Sequence, residues 1–317
     1  MKRIKYFDDW VWFWLDTYKK RTLKPSTYSA YLVAAKHIQC HVKIRRLKLE
    51  HIQEIINRMV DLGLAYSTIR HTVTIIKQAV RAAQKRGLCH KIDFSCLIVT
   101  SQQQKRRVTA LTPSEQIRFM AHLQDVFYGD LYAFLLLTGL RVGEALALTW
   151  DDIDLRSRSI HINKTLYRGQ IQDPKSKSSF RDIPLGDDVF LLLRRHYTPS
   201  RGIIWRNTIG SAVSYRSLLD SFKWYCDRCG IPPYGLHTLR HTYATNALTA
   251  GVNTKVLSEI LGHASISITL GIYTDVRSDH KQLAAEQISD YMQALISGAN
   301  RERSPKNEGF SFEAVIG

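Results

Sequence analysis

Apolar residues recur every three or four positions through almost the whole chain, which restricts it to a mainly helical fold. Phe7, Trp10, Val11, Trp14 and Leu15 share one face of a first helix. Pro25-Ser26-Thr27 offers the start of a second, which carries Tyr28, Tyr31, Leu32, Ala35 and Ile38. Ile52, Ile55, Ile56 and Met59 belong to a third that ends near Gly63. Ile69, Val73, Ile76, Ala79 and Val80 belong to a fourth that stops at Gly87, behind Lys85 and Arg86. In the second half, Thr112-Pro113-Ser114-Glu115 reads as a new helix start, with Thr as N-cap, Pro in the first turn and Glu closing a capping box. The helical period gives way to extended chain only between 159 and 185. Ile160 and Ile162 alternate there, turn-forming residues follow, and 180–185 is extended again. The expected architecture is mainly α with two domains, one all-helical and one mostly helical with a small β-hairpin or sheet.

Charge divides the chain in the same way. Residues 1–107 hold 22 Lys/Arg against 7 Asp/Glu, a net +15, whereas residues 108–317 hold 23 against 21, a net +2. A strongly basic half joined to a nearly neutral one suits a protein that grips a polyanion with its first half. Nucleic acid fits better than a membrane surface, because no extended basic amphipathic anchor is present. The apolar runs at 10–15 and 132–137 are too short for a signal peptide or a membrane span. The polar, aperiodic stretch 101–109 is the expected linker. Domains are therefore expected at 1–100 and 110–297, with a polar tail over 298–317. Five cysteines without framework spacing suit the reducing cytoplasm. Cys226 and Cys229 form a CxxC, but no second pair of ligands accompanies it at zinc-site spacing.

Four short clusters in the second half carry chemistry. In Thr138-Gly139-Leu140-Arg141-Val142-Gly143-Glu144, Gly139 ends one helix and Arg141 opens the next. A guanidinium there sits beside the positive end of a helix dipole, a place suited to phosphate, and Glu144 one turn on is able to hold it. Alone, the pair also reads as an ordinary surface ion pair. Asp173-Pro174-Lys175-Ser176-Lys177 puts two lysines between the extended runs, as a polar turn often does. In His237-Thr238-Leu239-Arg240-His241, His237 and Arg240 share a helical face and are able to point at one anion. His237 and His241 also lie four apart, but Thr238 replaces the Glu of the zinc-protease pattern. In the run 261–273, Gly262 ends a helix, Ser265 is placed to cap the next, and that helix carries Tyr273 a few turns from His263. A lone tyrosine of this kind is more often core than catalyst.

Taken together, and in this order, the clusters resemble the tyrosine recombinase (phage integrase) family, whose signature runs Arg, Lys, His-x-x-Arg, His, Tyr. Arg141 in TGLRVGE, Lys175 in PKSKSS, His237 and Arg240 in HTLRHT, His263 in LGHASIS and Tyr273 in IYTD occupy the six positions. Lys177 lies two residues from Lys175 and is the alternative for the lysine. The likeness covers roughly residues 108–290. It extends more weakly to the first half, where PSTYSAY and LAYSTIR look like the family's helical core-binding domain.

The resemblance implies a site-specific recombinase that cleaves and rejoins DNA through a 3′-phosphotyrosine. Tyr273 is then the nucleophile. Arg141, Arg240 and His263 hold the phosphoryl oxygens, His237 accepts the tyrosine proton, and Lys175 protonates the departing 5′ oxygen. Neither metal nor organic cofactor is implied. The implied partners are duplex DNA carrying recombination sites, three further copies of the chain in a tetramer on DNA, and accessory DNA-bending or directionality factors. Two alternatives share the features: a type IB topoisomerase that relaxes DNA, and a catalytically silent sequence-specific DNA-binding regulator. The helical first half and the spacing from LGHASIS to IYTD favour the recombinase over the first, and six occupied positions weigh against the second. Residues 277–297 are expected to form one more helix, with Ala284, Ile288, Tyr291 and Leu295 as an apolar stripe that docks in cis or on a neighbouring copy.

Overall fold

The first apolar stripe becomes α1 (Phe7–Trp14) in the computed structural model, which describes residues 4–100, 110–174, 177–198, 202–273 and the short pieces 289–290 and 292–293. The linker expected over 101–109, Lys175, most of 277–297 and the tail 298–317 lie outside the described residues. Two compact units divide the chain, 1–107 and 108–317.

The first unit is all helical. After α1 the chain continues through a π-helical turn (Leu15–Lys19) into α2 (Pro25–Ala35), α3 (Leu49–Asp61) and α4 (Tyr66–Gln84). Helix α4 is the hub, and α1, α2 and α3 all pack on it. Its buried face, Ile69, Val73, Ile76, Ala79 and Val80, is the stripe expected from the sequence. The Trp10 indole donates from Nε1 to the Ala79 carbonyl at 2.9 Å, satisfying its one polar atom inside the core. One boundary differs from the sequence reading: α2 stops at Ala35. Ile38 is buried from the connector instead, because the chain turns there through bonds from His37 and Ile38 back to Ala34 and Ala35.

The second unit opens at α5 (Pro113–Ala121), whose Thr112–Glu115 capping box forms as the sequence requires: Glu115 N–H donates to Thr112 Oγ1 at 3.3 Å and Thr112 N–H to Glu115 Oε2 at 2.8 Å. Helix α6 (Gly129–Thr138) is buried on nearly every side and ends at Gly139; α7 (Val142–Ala147) follows from Arg141. The extended region is more elaborate than a single hairpin. Strands β1 (Ile153–Asp154), β2 (Ser159–Ile162) and β5 (Arg181–Pro184) make an antiparallel sheet in the order β1-β2-β5. Between β2 and β5 the chain leaves to form a separate hairpin, β3 (Thr165–Tyr167) and β4 (Gln170–Gln172). The lysine-bearing segment therefore joins β4 to β5. Helices α8 (Asp187–His196), α9 (Tyr215–Arg228), α10 (His237–Thr249), α11 (Thr254–Leu261) and α12 (Ile266–Tyr273) complete the unit. Helix α10 packs along α6, and α12 packs on both α10 and α11.

Candidate active site

Two glycines set the site's backbone. Gly139 ends α6 at φ 63° and Gly262 ends α11 at φ 64°, left-handed conformations in which a side chain is strained. Both are also crowded. A Cβ at Gly139 would run into the Tyr243 ring, and one at Gly262 would lie 2.9 Å from Arg181 Nη1. Because these helices must stop where they do, the carbonyls of Gly139, Leu261 and Gly262 are free of helical partners and face arginines.

Arg240, on the first turns of α10, lies between those helix ends. It donates from Nη1 to the Gly139 carbonyl at 2.9 Å and from Nη2 to the Leu261 carbonyl at 2.7 Å. Its residue is only 4% exposed. Burial, then Arg141, lowers its pKa to about 9, which still leaves it cationic at neutral pH. Arg141 donates to Gly262 O at 2.8 Å and to Glu144 Oε1 at 2.7 Å, while its side chain stays 37% exposed. Glu144 is 3% exposed, and Arg181 on β5 meets it from the other side at 3.0 Å. Burial pushes the Glu144 carboxyl up, but the hydrogen bonds and charges of Arg181 and then Arg141 outweigh that and hold it below its ordinary value. Three guanidinium groups against one carboxylate leave a surplus of positive charge, suited to an anion.

His237 opens α10 one turn before Arg240, and its ring meets that of His241 edge-on at 4.9 Å. It keeps an exposed edge, yet desolvation of the rest, then His241, Arg240 and Arg141, lowers its pKa to about 4. A ring so placed is neutral at pH 7 and free to accept a proton. His263 follows Gly262, and its Nδ1 lies 2.8 Å from the Thr269 hydroxyl. Burial, then Arg240 and Arg141, lowers its pKa to about 4 as well. Helix α12 starts three residues after His263, with Ser265 Oγ accepting from Ser267 N–H at 3.3 Å; it packs on α10 and ends at Tyr273.

Arg141, His237, Arg240 and His263 are thus gathered, and the helix of Tyr273 is packed beside them. Lys175 lies outside the described residues; Lys177 begins a 3-10 turn, Lys177–Ser179, that leads into β5. Lys164 is tied down elsewhere, 2.7 Å from buried Asp152. Sequence reasoning missed Arg181. The available signal was its position two residues before buried Ile183 on a strand, which puts a charge on the inward face. The CxxC thiols are free, and burial pushes that of Cys226 up to about 12. A shallow cavity of ≈ 300 Å³ opens beside His263, between Ser178, Arg181 and Ile266. The larger one of ≈ 460 Å³, lined by Trp150, Asp154, His161 and Tyr197, holds none of the candidate residues. No helix among the described residues is long and apolar enough to cross a membrane.

A helical domain with a small antiparallel sheet and an arginine–histidine cluster between helix ends defines the catalytic fold of tyrosine recombinases. The chain belongs to the phage integrase family, whose model matches residues 109–280, and it is an enzyme of site-specific DNA recombination. It is 27% identical to a XerC-like tyrosine recombinase of Caldanaerobacter subterraneus subsp. tengcongensis, over 87% of this chain and 81% of that one. It is 28% identical to the transposase from transposon Tn916 of Enterococcus faecalis, over 74% and 65% respectively. Among solved structures, the Tn1549 transposon integrase in complex with a circular intermediate DNA matches at a TM-score of 0.76 and 22% identity, over 90% of this chain and 100% of that one. A lambda integrase tetramer bound to a Holliday junction matches at 0.68 and 17%, over 86% and 78%.

Proposed function

We propose that this recombinase cleaves DNA with Tyr273 and that Arg141, Lys175, His237, Arg240 and His263 serve the transfer. The phenol oxygen attacks the phosphorus and its proton passes to His237, which is neutral at pH 7. Arg141, Arg240 and His263 stabilise the charge that gathers on the non-bridging oxygens. The P–O5′ bond breaks and Lys175 gives the departing oxygen its proton. The product is a 3′-phosphotyrosine, which a second 5′-hydroxyl attacks in the reverse sense, so no external energy source is consumed. The cationic side chains fill the role that a metal ion fills in other phosphoryl transfers.

The carrying observation is the convergence of Arg141 and Arg240 on adjacent carbonyls at the end of α11, those of Gly262 and Leu261, beside two neutral histidines and the helix of Tyr273. The first domain, residues 1–100, is the basic grip on duplex DNA, joined by the linker 101–109 to the catalytic domain 110–297. Assembly as a tetramer on paired sites is supported by the likeness to a lambda integrase tetramer bound to a Holliday junction, and the 277–297 segment docks either in cis or on a neighbouring copy. Accessory DNA-bending factors and a cytoplasmic setting belong to the same reading. Tyr273→Phe tests it directly: DNA binding persists while covalent adducts on a nicked half-site disappear from a denaturing gel. Undiminished adducts would remove Tyr273 from the role.

A further inference from the structure

Thr269 lies one turn before Tyr273 on α12 and is fully buried, at 0% exposure. A buried threonine within a helix ordinarily turns its hydroxyl onto the carbonyl four residues back. Thr72, Thr138 and Thr242 do so, donating to the carbonyls of Thr68, Phe134 and Thr238 at 3.0, 2.6 and 2.8 Å. Thr269 instead faces His263, with Oγ1 2.8 Å from Nδ1.

We propose that Thr269 is a positioning residue for strand transfer: its hydroxyl donates to Nδ1 of His263, fixes the Nε2–H tautomer, and ties the nucleophile's helix to the phosphate-holding loop. The proposal rests on the reading of His263 and Tyr273 given above. A neutral imidazole carries a single N–H, and which nitrogen bears it is set by the partner of the other. The ring is neutral at pH 7, because burial, then Arg240 and Arg141, lowers its pKa to about 4. A carbonyl at Nδ1 would only accept, drawing the proton to Nδ1 and leaving Nε2 a lone pair that repels a phosphoryl oxygen. A hydroxyl is able to donate, which sends the proton to Nε2, where it serves the anion. The same hydrogen bond joins the loop after α11 to α12, and Tyr273 follows four residues on in that helix.

The test is a double-mutant cycle on the full chain, reading the rate of covalent adduct formation at saturating half-site DNA together with DNA affinity. Thr269→Val, which keeps the shape and removes the hydroxyl, slows adduct formation about ten- to a hundredfold, the scale of losing a histidine's orienting partner. Affinity stays unchanged, and Thr269→Ser keeps most of the rate. In a His263→Ala background, Thr269→Val adds nothing further. If Thr269→Val lowers the melting temperature, Thr269→Ser against Thr269→Ala isolates the hydroxyl, since both lack the γ-methyl. A fully active Thr269→Val beside a slow His263→Ala would overturn the role of Thr269 alone. Equal slowing by Thr269→Val with and without His263 would also overturn it. A His263→Ala protein that cleaves at the full rate would overturn the reading of the site itself.

Discussion

The two units handle charge in opposite ways. In the first, which carries a net +15, the described charged residues all lie outside the core, and Thr72 is its one buried polar residue among the described residues. In the second, charges nearly cancel in number, yet Glu144, Asp152 and Arg240 are buried and Arg181 keeps only 7% of its side chain exposed. Surface charge attracts a polyanion over a distance and is screened by salt. Buried charge is costly to desolvate, and is retained where its geometry serves a purpose. The first unit thus keeps its described charges in solvent, and the second keeps part of its charge in the interior.

Salt gives the largest expected effect. Residues 1–107 alone bind duplex DNA with an affinity that falls log-linearly with salt, by about a thousandfold between 50 and 200 mM if six phosphates are neutralised. The second unit alone binds far more weakly and with a shallower slope; equal slopes in a fluorescence titration would break the comparison. Next come the arginines. Arg141→Ala and Arg240→Lys each slow adduct formation by roughly two to three powers of ten, with full-chain affinity little changed. A loss expressed only in affinity would move these residues from chemistry to grip.

The smallest effect sharpens the contrast through stability. Because Glu144 is held below its ordinary value of 4.5, its ionised form stabilises the second unit fully above that value, and this contribution drains away as pH falls through the lower folded value. His237 and His263, lowered to about 4, act in the same direction from about pH 6.5 downward, since the unfolded chain takes up those protons first. Acidification from pH 7 to 4 therefore lowers the melting of the second unit more than that of the first. Glu144→Gln lowers the neutral-pH stability by about 3 kcal/mol, as removing one member of a buried ion cluster does, and flattens the acid limb. Calorimetry across that range checks both, and parallel melting of the two units would contradict the buried-charge account.

What the sequence made legible was local. The Thr112–Glu115 box, the stops at Gly139 and Gly262, and the apolar face of α4 each depend on residues within a turn or two of one another. Pairings across long stretches of chain were hidden. Arg181 meets Glu144 across 37 residues, and Arg240 meets the Gly139 carbonyl across 101, through contacts that no local pattern encodes. The β3–β4 hairpin is hidden from periodicity because its strands are three residues long. Its signal was Arg168-Gly169, both at positive φ, at 49° and 77°, between short alternating runs. Of the six signature residues, those just before α7, on α10 and after α11 are both legible and brought together, because helix starts and stops fix their direction.

The two glycine-terminated helices carry a last consequence. Helices α6 and α11 both point their C-terminal, negative ends at Arg240, so backbone dipoles do for this guanidinium what water does at a surface. Water must reorient when a transition state redistributes charge, whereas helix ends cannot turn. The electrostatic work of assembling a charged site is thus done during folding, before DNA arrives, and little of it is left for the moment of strand transfer.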